Sequence, residues 1–289
     1  MKSLQSLLFG GLTAAFSPLA VFGYTGWTGD YDGTSDNTLL LYTFDDEAGA
    51  TSTDNIASGT SSIGVAPMNI APSGTTMGVE GKFGNAFQSD SPSSNLSIGY
   101  GQVASASIGS AFAIPEISVE LWYKPLSDEP DPAGGYSYLI DHRYSSSSGF
   151  QMAFLGNDDS FRAYVGNGTS LLSAIIPVSS MNFEADTWTH LALTYEDGVG
   201  MKVFQDGDLI AESLNSEFGS LATYSGGNLR IGNRVGSSYN TQTGDYDNFR
   251  VSDVAYDFTT PIPEAAHAGA AFGIICVVMV SMSRRRWLR

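Results

Sequence analysis

The chain has 289 residues, of which 33 are glycine, with aromatics at 12% and charged residues at only 15%. That is the composition of a β-rich exported protein with many turns and few helix formers. All 30 acidic residues fall between Tyr24 and Glu264, where 8 bases accompany them, and the resulting formal −22 excludes nucleic acid and anionic membrane surfaces as partners while favouring divalent cations.

Residues 1–23 begin with Lys2, continue through an apolar centre from Leu7 to Phe16, and end in Val21-Phe22-Gly23. Small or compact residues before the cleavage position make this a secretory signal peptide, too short in its apolar part to span a bilayer comfortably. Residues 24–37 (YTGWTGDYDGTSDN) form a polar lead-in loop.

The strands then follow. Thr38 to Asp45 is the first, and Asn55 to Ser73 is loop-like with short apolar runs. Gly81-Lys82-Phe83-Gly84-Asn85-Ala86-Phe87 is a tight turn feeding a strand. Asn95 to Tyr100 is another strand. Glu116 to Lys124 is the best central one. There Ile117, Val119, Leu121 and Tyr123 share one face, and Glu116, Ser118, Glu120 and Trp122 share the other. Pro125 ends it, because proline cannot donate to a ladder. Tyr136 to Asp141, Gly149 to Gly156, Phe161 to Val165 and Ser170 to Ile176 continue the pattern.

Asp186 to Glu212 is the most regular stretch. Thr189, Leu191, Leu193 and Tyr195 alternate with Trp188, His190, Ala192 and Thr194. A Gly-containing loop (Glu196 to Gly200) leads to Met201–Gln205, and Asp206-Gly207 supplies a two-residue hairpin turn before Leu209 to Ala211 returns as a third strand. This is a continuous antiparallel meander. Asn228 to Asn233 and Gly244 to Ser252 are the last strands. The domain holds no cysteine; the single Cys276 lies in the C-terminal apolar segment. Its stability must therefore come from core burial, which a sandwich of this size can supply.

The end of the chain, residues 259–289, is a separate module. Pro263-Glu264 precedes an uncharged apolar run, about 265–282, long enough for a short transmembrane helix. Arg284, Arg285 and Arg286 then act as a stop on the cytoplasmic side.

Two resemblances rest on these residues. The meander TWTHLALTYEDGVGMKVFQDGDLIAE, the strand EISVELWYKP, the turn GKFGNAF and the closing GDYDNFRVS resemble the laminin-G-like, concanavalin A-like jelly-roll family over residues 38–258. The resemblance implies an all-β fold, a two-sheet antiparallel jelly-roll sandwich. The tail resembles the PEP-CTERM sorting tail of Gram-negative bacteria, with Ala265 where a second proline is usual. That implies an exosortase-type peptidase acting near Pro263-Glu264, export across the inner membrane, and transient anchoring; a permanent anchor is the alternative.

Within the jelly-roll family, rim Ca2+ held by aspartates is implied at Asp45 and Asp247, with Asp46 and Asp245 as further candidates. Ordinary loop aspartates are the alternative. Stacking of sugar rings on aromatics points to Trp27, Tyr136, Tyr144 and Tyr239, with Tyr31 and Tyr138 beside them. Glycan-cleaving relatives carry two Glu on one strand. Here Glu116 and Glu120 share a face, but their Cα atoms lie roughly 13 Å apart in a strand, beyond the usual catalytic separation. Ser118 stands where an intervening Asp belongs, so exposed carboxylates on a sheet face are the plainer reading. No Gly-x-Ser-x-Gly elbow and no Cys/His cluster occurs. The expectation is a non-catalytic binding or adhesion domain for carbohydrate or extracellular matrix material at the cell surface. Its rivals are a glycan-cleaving hydrolase and a structural exopolymer-associated protein.

Overall fold

The computed structural model describes residues 34–90, 99–126, 135–143, 146–234 and 240–259. In chain order its strands open with β1 (Thr38–Tyr42), β2 (Ser52–Thr53), β3 (Met68–Ile70), β4 (Thr75–Glu80), β5 (Asn85–Ser89) and β6 (Gly101–Val103). After a short helix, α1 (Ser105–Ile108), come β7 (Glu116–Lys124), β8 (Tyr136–Asp141), β9 (Ser148–Leu155), β10 (Ser160–Asn167) and β11 (Leu171–Pro177). The last are β12 (Thr189–Glu196), β13 (Gly200–Gln205), β14 (Asp208–Leu214), β15 (Leu229–Ile231), β16 (Asn240–Thr241) and β17 (Gly244–Ser252).

Among the described residues these strands make two sheets. The first runs β14-β13-β12-β7-β17-β5-β4, with β1 also on β17. The second runs β11-β10-β9-β8-β15-β6-β3-β2, with β16 alongside β8. Every pairing is antiparallel except β16 with β8. The all-β two-sheet sandwich therefore stands.

The period-2 pattern explains the packing. β7 and β12 pair from Thr189 opposite Tyr123 to Glu196 opposite Glu116. That register points Val119, Leu121, Leu191 and Leu193 inward together, where they meet Phe150, Met152, Phe154 and Val165 of the second sheet in one buried cluster. Each such side chain contributes about 1.5–3 kcal/mol on burial, which is how a cysteine-free domain holds together. Asp206 (φ 50°) and Gly207 (φ 84°) both adopt the left-handed conformation that the β13–β14 turn needs.

β7, β8 and β17 span the residues read as strands in the sequence. Elsewhere the bounds move. The first strand stops at Tyr42, because Phe44 turns to φ 57°. β14 runs on to Leu214, past the expected end at Ala211. β3, three residues within a stretch read as loop-like, is held by the distant β6, while β4 arises in an unassigned stretch and pairs locally with β5 across the 81–84 turn. Residues 99–100 are not strand, and the next one starts at Gly101; most of the expected Asn95–Tyr100 strand lies outside the described residues.

The two outer faces differ. Across the first sheet, the C-terminal segment 253–259 folds back. Ser118 Oγ donates to the Val254 carbonyl at 2.6 Å and accepts from Tyr256 N at 2.9 Å, while Phe258 packs on Ala192 and Phe204. No such segment is described over the second sheet. Among the described residues no helix is long and apolar enough to cross a membrane. The signal peptide (1–23), Pro263-Glu264, the apolar run 265–282 and Arg284, Arg285 and Arg286 lie outside the described residues.

Candidate functional site: a polar row across the second sheet

Three places carry chemistry. The first is a carboxylate rim at the turn 81–85. Asp45 Oδ1 accepts from Asn85 N at 3.0 Å, and Asp247 Oδ2 accepts from Phe83 N at 2.9 Å. The turn is thus gripped by two aspartates from opposite ends of the domain sequence, Asp45 in the loop after β1 and Asp247 on β17. Gly84 has φ +66°, and a Cβ there would sit 2.0 Å from Asp45 Oδ1, so only glycine fits. Asp247 is fully buried, and its Oδ1 has no hydrogen-bond partner among the described residues. Burial, with the nearby Asp45 charge adding to it, pushes the Asp247 pKa up to about 7; backbone N–H groups oppose the shift. Phe44 and Asn248, beside the two aspartates, both take positive φ, strain of about 1–3 kcal/mol each. A hard divalent cation suits this donor set, since it would satisfy the orphaned oxygen and the paired negative charge. Among the described residues no group of three or more His, Cys, Asp or Glu gathers, so backbone carbonyls would complete the shell. Asp46 contributes its carbonyl to Asn85 Nδ2 at 3.2 Å. Asp245 is occupied elsewhere, by Gln88 Nε2 at 2.8 Å and Lys124 Nζ at 2.7 Å.

The second place is the pair of glutamates on β7. Glu120 is not an exposed carboxylate on a sheet face, as the sequence suggested. It is completely buried under the C-terminal segment. Arg250 Nε donates to its Oε1 at 2.6 Å, and His190 Nε2 donates to its Oε2 at 2.9 Å. Glu116 Oε2 accepts from Ala255 N at 3.3 Å. A group sealed between Arg250 and His190 supports the sheet and has no path to a substrate. His142 is likewise buried, ringed by Phe112 and Phe150 at centroid distances of 5.0 and 5.6 Å.

The third place is the outer face of the second sheet. Phe150, Met152, Phe161, Val165, Leu229 and Ile231 point to the core, so the residues between them point out. Strand register then lines up one transverse row. Asn69 lies opposite Gln102, Gln102 opposite Arg230, and Arg230 opposite Asp141. Asp141 lies opposite Gln151, and Gln151 opposite Tyr164. Ser52 and Ser173 extend the row to the two edges. At ~4.8 Å between strands, eight strands span roughly 34 Å.

Side-chain bonds tie the row together. Gln151 Nε2 donates to Asp141 Oδ1 at 2.7 Å, and Arg143 Nη1 donates to Gln151 Oε1 at 3.1 Å. Arg230 Nε donates to Gln102 Oε1 at 2.7 Å, and its guanidinium lies 4.1 Å from the Tyr100 ring centre. Arg143 lies 4.7 Å from the centre of the Tyr164 ring. Beside the row, Tyr136 and Tyr138 stack at 5.7 Å, Arg162 Nη1 donates to Tyr136 Oη at 3.0 Å, and Arg234 Nη1 donates to Tyr138 Oη at 3.0 Å. Asp141, Gln151, Tyr138 and Arg234 are buried within this network, while Asn69 is exposed and Gln102, Arg230, Arg143, Arg162 and Tyr164 are half-buried. The rings, amides and guanidinium forks of that second group can stack on and hydrogen-bond a polyhydroxylated chain.

Of the aromatics singled out from the sequence, Tyr136 and Tyr138 belong to this face. Trp27, Tyr31, Tyr144 and Tyr239 lie outside the described residues. The strand-borne Gln151, Tyr164, Arg162 and Arg230 were missed. Their signal is present, as polar and aromatic residues at alternate positions of β9 and β10, but it reads as an ordinary solvated face until register aligns it.

Residues 98–257 match the family described as the concanavalin A-like lectin/glucanases superfamily. Comparison with curated proteins by sequence gives no match. Among solved structures, the chain is similar to the binding domain of Paraclostridial Mosquitocidal Protein 1 (TM-score 0.55, 13% identity, 78% of this chain and 50% of that one). It is also similar to the botulinum neurotoxin serotype D ligand binding domain in complex with N-acetylneuraminic acid (TM-score 0.55, 13% identity, 77% and 49%). A third is Trypanosoma rangeli sialidase in complex with 2,3-difluorosialic acid, a covalent intermediate (TM-score 0.51, 12% identity, 78% and 32%). The chain spans half or less of the length of these structures, and at such identity the likeness concerns the fold.

Proposed function

The chain belongs to the concanavalin A-like lectin/glucanases superfamily, and on that premise we propose that it is an exported, non-catalytic domain that binds polysaccharide on the outer face of its second sheet. The observation that carries this reading is the transverse row from Asn69 to Tyr164, polar and aromatic along its length and not covered by the segment that closes the other sheet. The similar binding domains support it, one of them in complex with N-acetylneuraminic acid. The described carboxylates of this face, Asp141 and Asp158, are bonded to Gln151 and to Arg162 respectively. Asp141 sits in the row and Asp158 in the β9–β10 turn, more than four residues further along the strands and so beyond ~13 Å, which does not favour a paired acid and base.

Ca2+ has a supporting part in this reading. Asp45 and Asp247 would hold it at the rim, with Asp46 beside them, and its charge would fix the 81–85 turn against β17 and the loop after β1. We read the tail as a sorting signal that anchors the chain in the inner membrane until an exosortase-type peptidase cuts near Pro263-Glu264, leaving the domain at the cell surface or outside the cell.

The test is a glycan array probed with the full chain purified in detergent, together with a reducing-sugar assay on each glycan retained. Retention without sugar release is the expected result. Sugar release from a retained glycan would establish the hydrolase instead. Absence of any retention would leave a structural exopolymer protein.

A further inference from the structure

The bases of this acidic domain are sorted between its two sheets. Lys124, Lys202 and Arg250 lie on β7, β13 and β17 of the first sheet, and Lys82 lies over Trp122 of the same sheet at 4.5 Å. Arg143, Arg162, Arg230 and Arg234 all lie on the outer side of the second. Every lysine of the described residues is on one side, and every arginine but one is on the other. Such a sorting places the planar, two-pronged donors where the polar row is. Guanidinium forks match carboxylate geometry in a way that an ammonium does not.

Two of these arginines are held by neutral groups. Arg230 donates to the Gln102 amide and, at 2.8 Å, to the Arg234 carbonyl. Arg143 donates to the Gln151 amide and covers the Tyr164 ring. Neither forms an ion pair with a carboxylate among the described residues, although acids outnumber bases across the domain. Arg143 Nε has no hydrogen-bond partner among those residues. Asp141, beside Arg230 in the row and two residues before Arg143, is fully buried and accepts from Gln151 and from Arg143 N. The half-buried guanidiniums therefore form the accessible charge there. Burial lowers the pKa of both Arg143 and Arg230, with the Arg234 charge adding to it at Arg143, and the nearby Asp141 charge opposes the shift at both without cancelling it; a bound anion would act in the same sense as Asp141.

We propose that the polysaccharide taken by this face is acidic, with sugar-ring carboxylates seated on Arg143 and Arg230 and the chain laid along the row, across the strands. The inference rests on the binding role proposed above and names its ligand class. Arginines presented within an otherwise negative surface select such a ligand in two ways. They supply the attraction locally, and the surrounding carboxylates repel anions that do not fit the row.

The probes are polygalacturonate and its fully methyl-esterified form, which share a backbone and differ in charge. Binding is measured by titration calorimetry with the full chain and with a Ca2+ chelator present, so that calcium bridging plays no part. The acid form should bind at least about tenfold more tightly, with affinity rising with oligomer length until the row is filled. Arg143→Gln and Arg230→Gln should each weaken it by about tenfold. Arg143→Lys should recover part of the loss, and Lys202→Gln on the other sheet should leave binding unchanged. Melting temperatures report whether each variant is folded. Equal affinity for both forms would overturn the acidic preference while leaving carbohydrate binding intact. Binding of neither form and of no other glycan would overturn both. Equally tight binding of a DNA oligonucleotide would reduce the face to an unselective anion site and overturn the proposal.

Discussion

Glu120 and Arg250 meet across β7 and β17 with no solvent access to either, Arg250 Nε donating to Glu120 Oε1 at 2.6 Å. A buried pair of this kind is weak evidence for stability as a whole, yet breaking it from one side is costly, because the remaining charge is stranded in a low-dielectric interior. His190 completes the arrangement from β12, so three neighbouring strands of the first sheet share one polar knot.

Glu120→Gln should therefore destabilise the domain by about 3–5 kcal/mol in urea unfolding. The double variant Glu120→Met/Arg250→Met should recover much of that loss, since it removes both charges together. A loss below about 1 kcal/mol in the single variant would contradict the assignment of Glu120 as a structural group.

His142 predicts a pH dependence. Its pKa is lowered to about 4, chiefly by burial, with a backbone contact at Asn228 opposing the shift. The unfolded chain takes up the proton near pH 6.5, while the folded chain resists it until about pH 4. Stability from this group is therefore fully present above about pH 6.5 and is lost as pH falls towards 4, by roughly 3 kcal/mol in total. His142→Phe keeps an aromatic ring among Phe112 and Phe150 and removes the proton site. The difference in unfolding free energy between wild type and variant should shift over that window and stay level above it; a difference that does not change with pH would contradict the account.

The rim predicts a response to calcium. Adding Ca2+ in excess of its dissociation constant should raise the melting temperature, by linkage, and chelation should reverse it; at about a hundredfold excess the stabilisation is ~2.7 kcal/mol. Asp247→Asn should abolish the response, because it removes the carboxylate whose second oxygen has no hydrogen-bond partner among the described residues. Asp245→Asn should preserve it, since Asp245 serves Lys124 and Gln88. An unchanged melting temperature on chelation at matched ionic strength would contradict the site.

Much of the fold is legible in the sequence, and for a stated reason. In β7, and in β12 from Leu191 to Tyr195, one face is apolar, so a period of two admits only one register of inside and outside. In β17 the period breaks at Asn248 (φ 45°), so Tyr246 and Phe249 both reach the core although three residues apart, and alternation alone does not assign its faces. The Asp206-Gly207 turn is legible because its backbone conformation restricts the residues that can occupy it. The candidate site is much less so. Arg230 and Gln102 are 128 residues apart and become neighbours only through the β15–β6 pairing. No local pattern in the three residues of β15 or of β6 encodes that partner. Glu120 was misread for the same reason in reverse. Alternation places it correctly on an outer face, but the segment that covers the face, from Val254 to Phe258, lies more than a hundred residues downstream. Asp45 and Asp247 both bond to the 81–85 turn, whereas Asp245 bonds to Lys124 and Gln88.

The central claim is that the ligand lies across the second sheet. The most direct measurement is the backbone amide chemical-shift map of the chain titrated with a glycan retained on the array. The account predicts the largest shifts in β8, β9, β10 and β15, centred on Asp141, Gln151, Tyr164 and Arg230, with the residues around Glu120 unmoved. Shifts confined to the 81–85 turn, or centred on β7 and β12 of the first sheet, would contradict it.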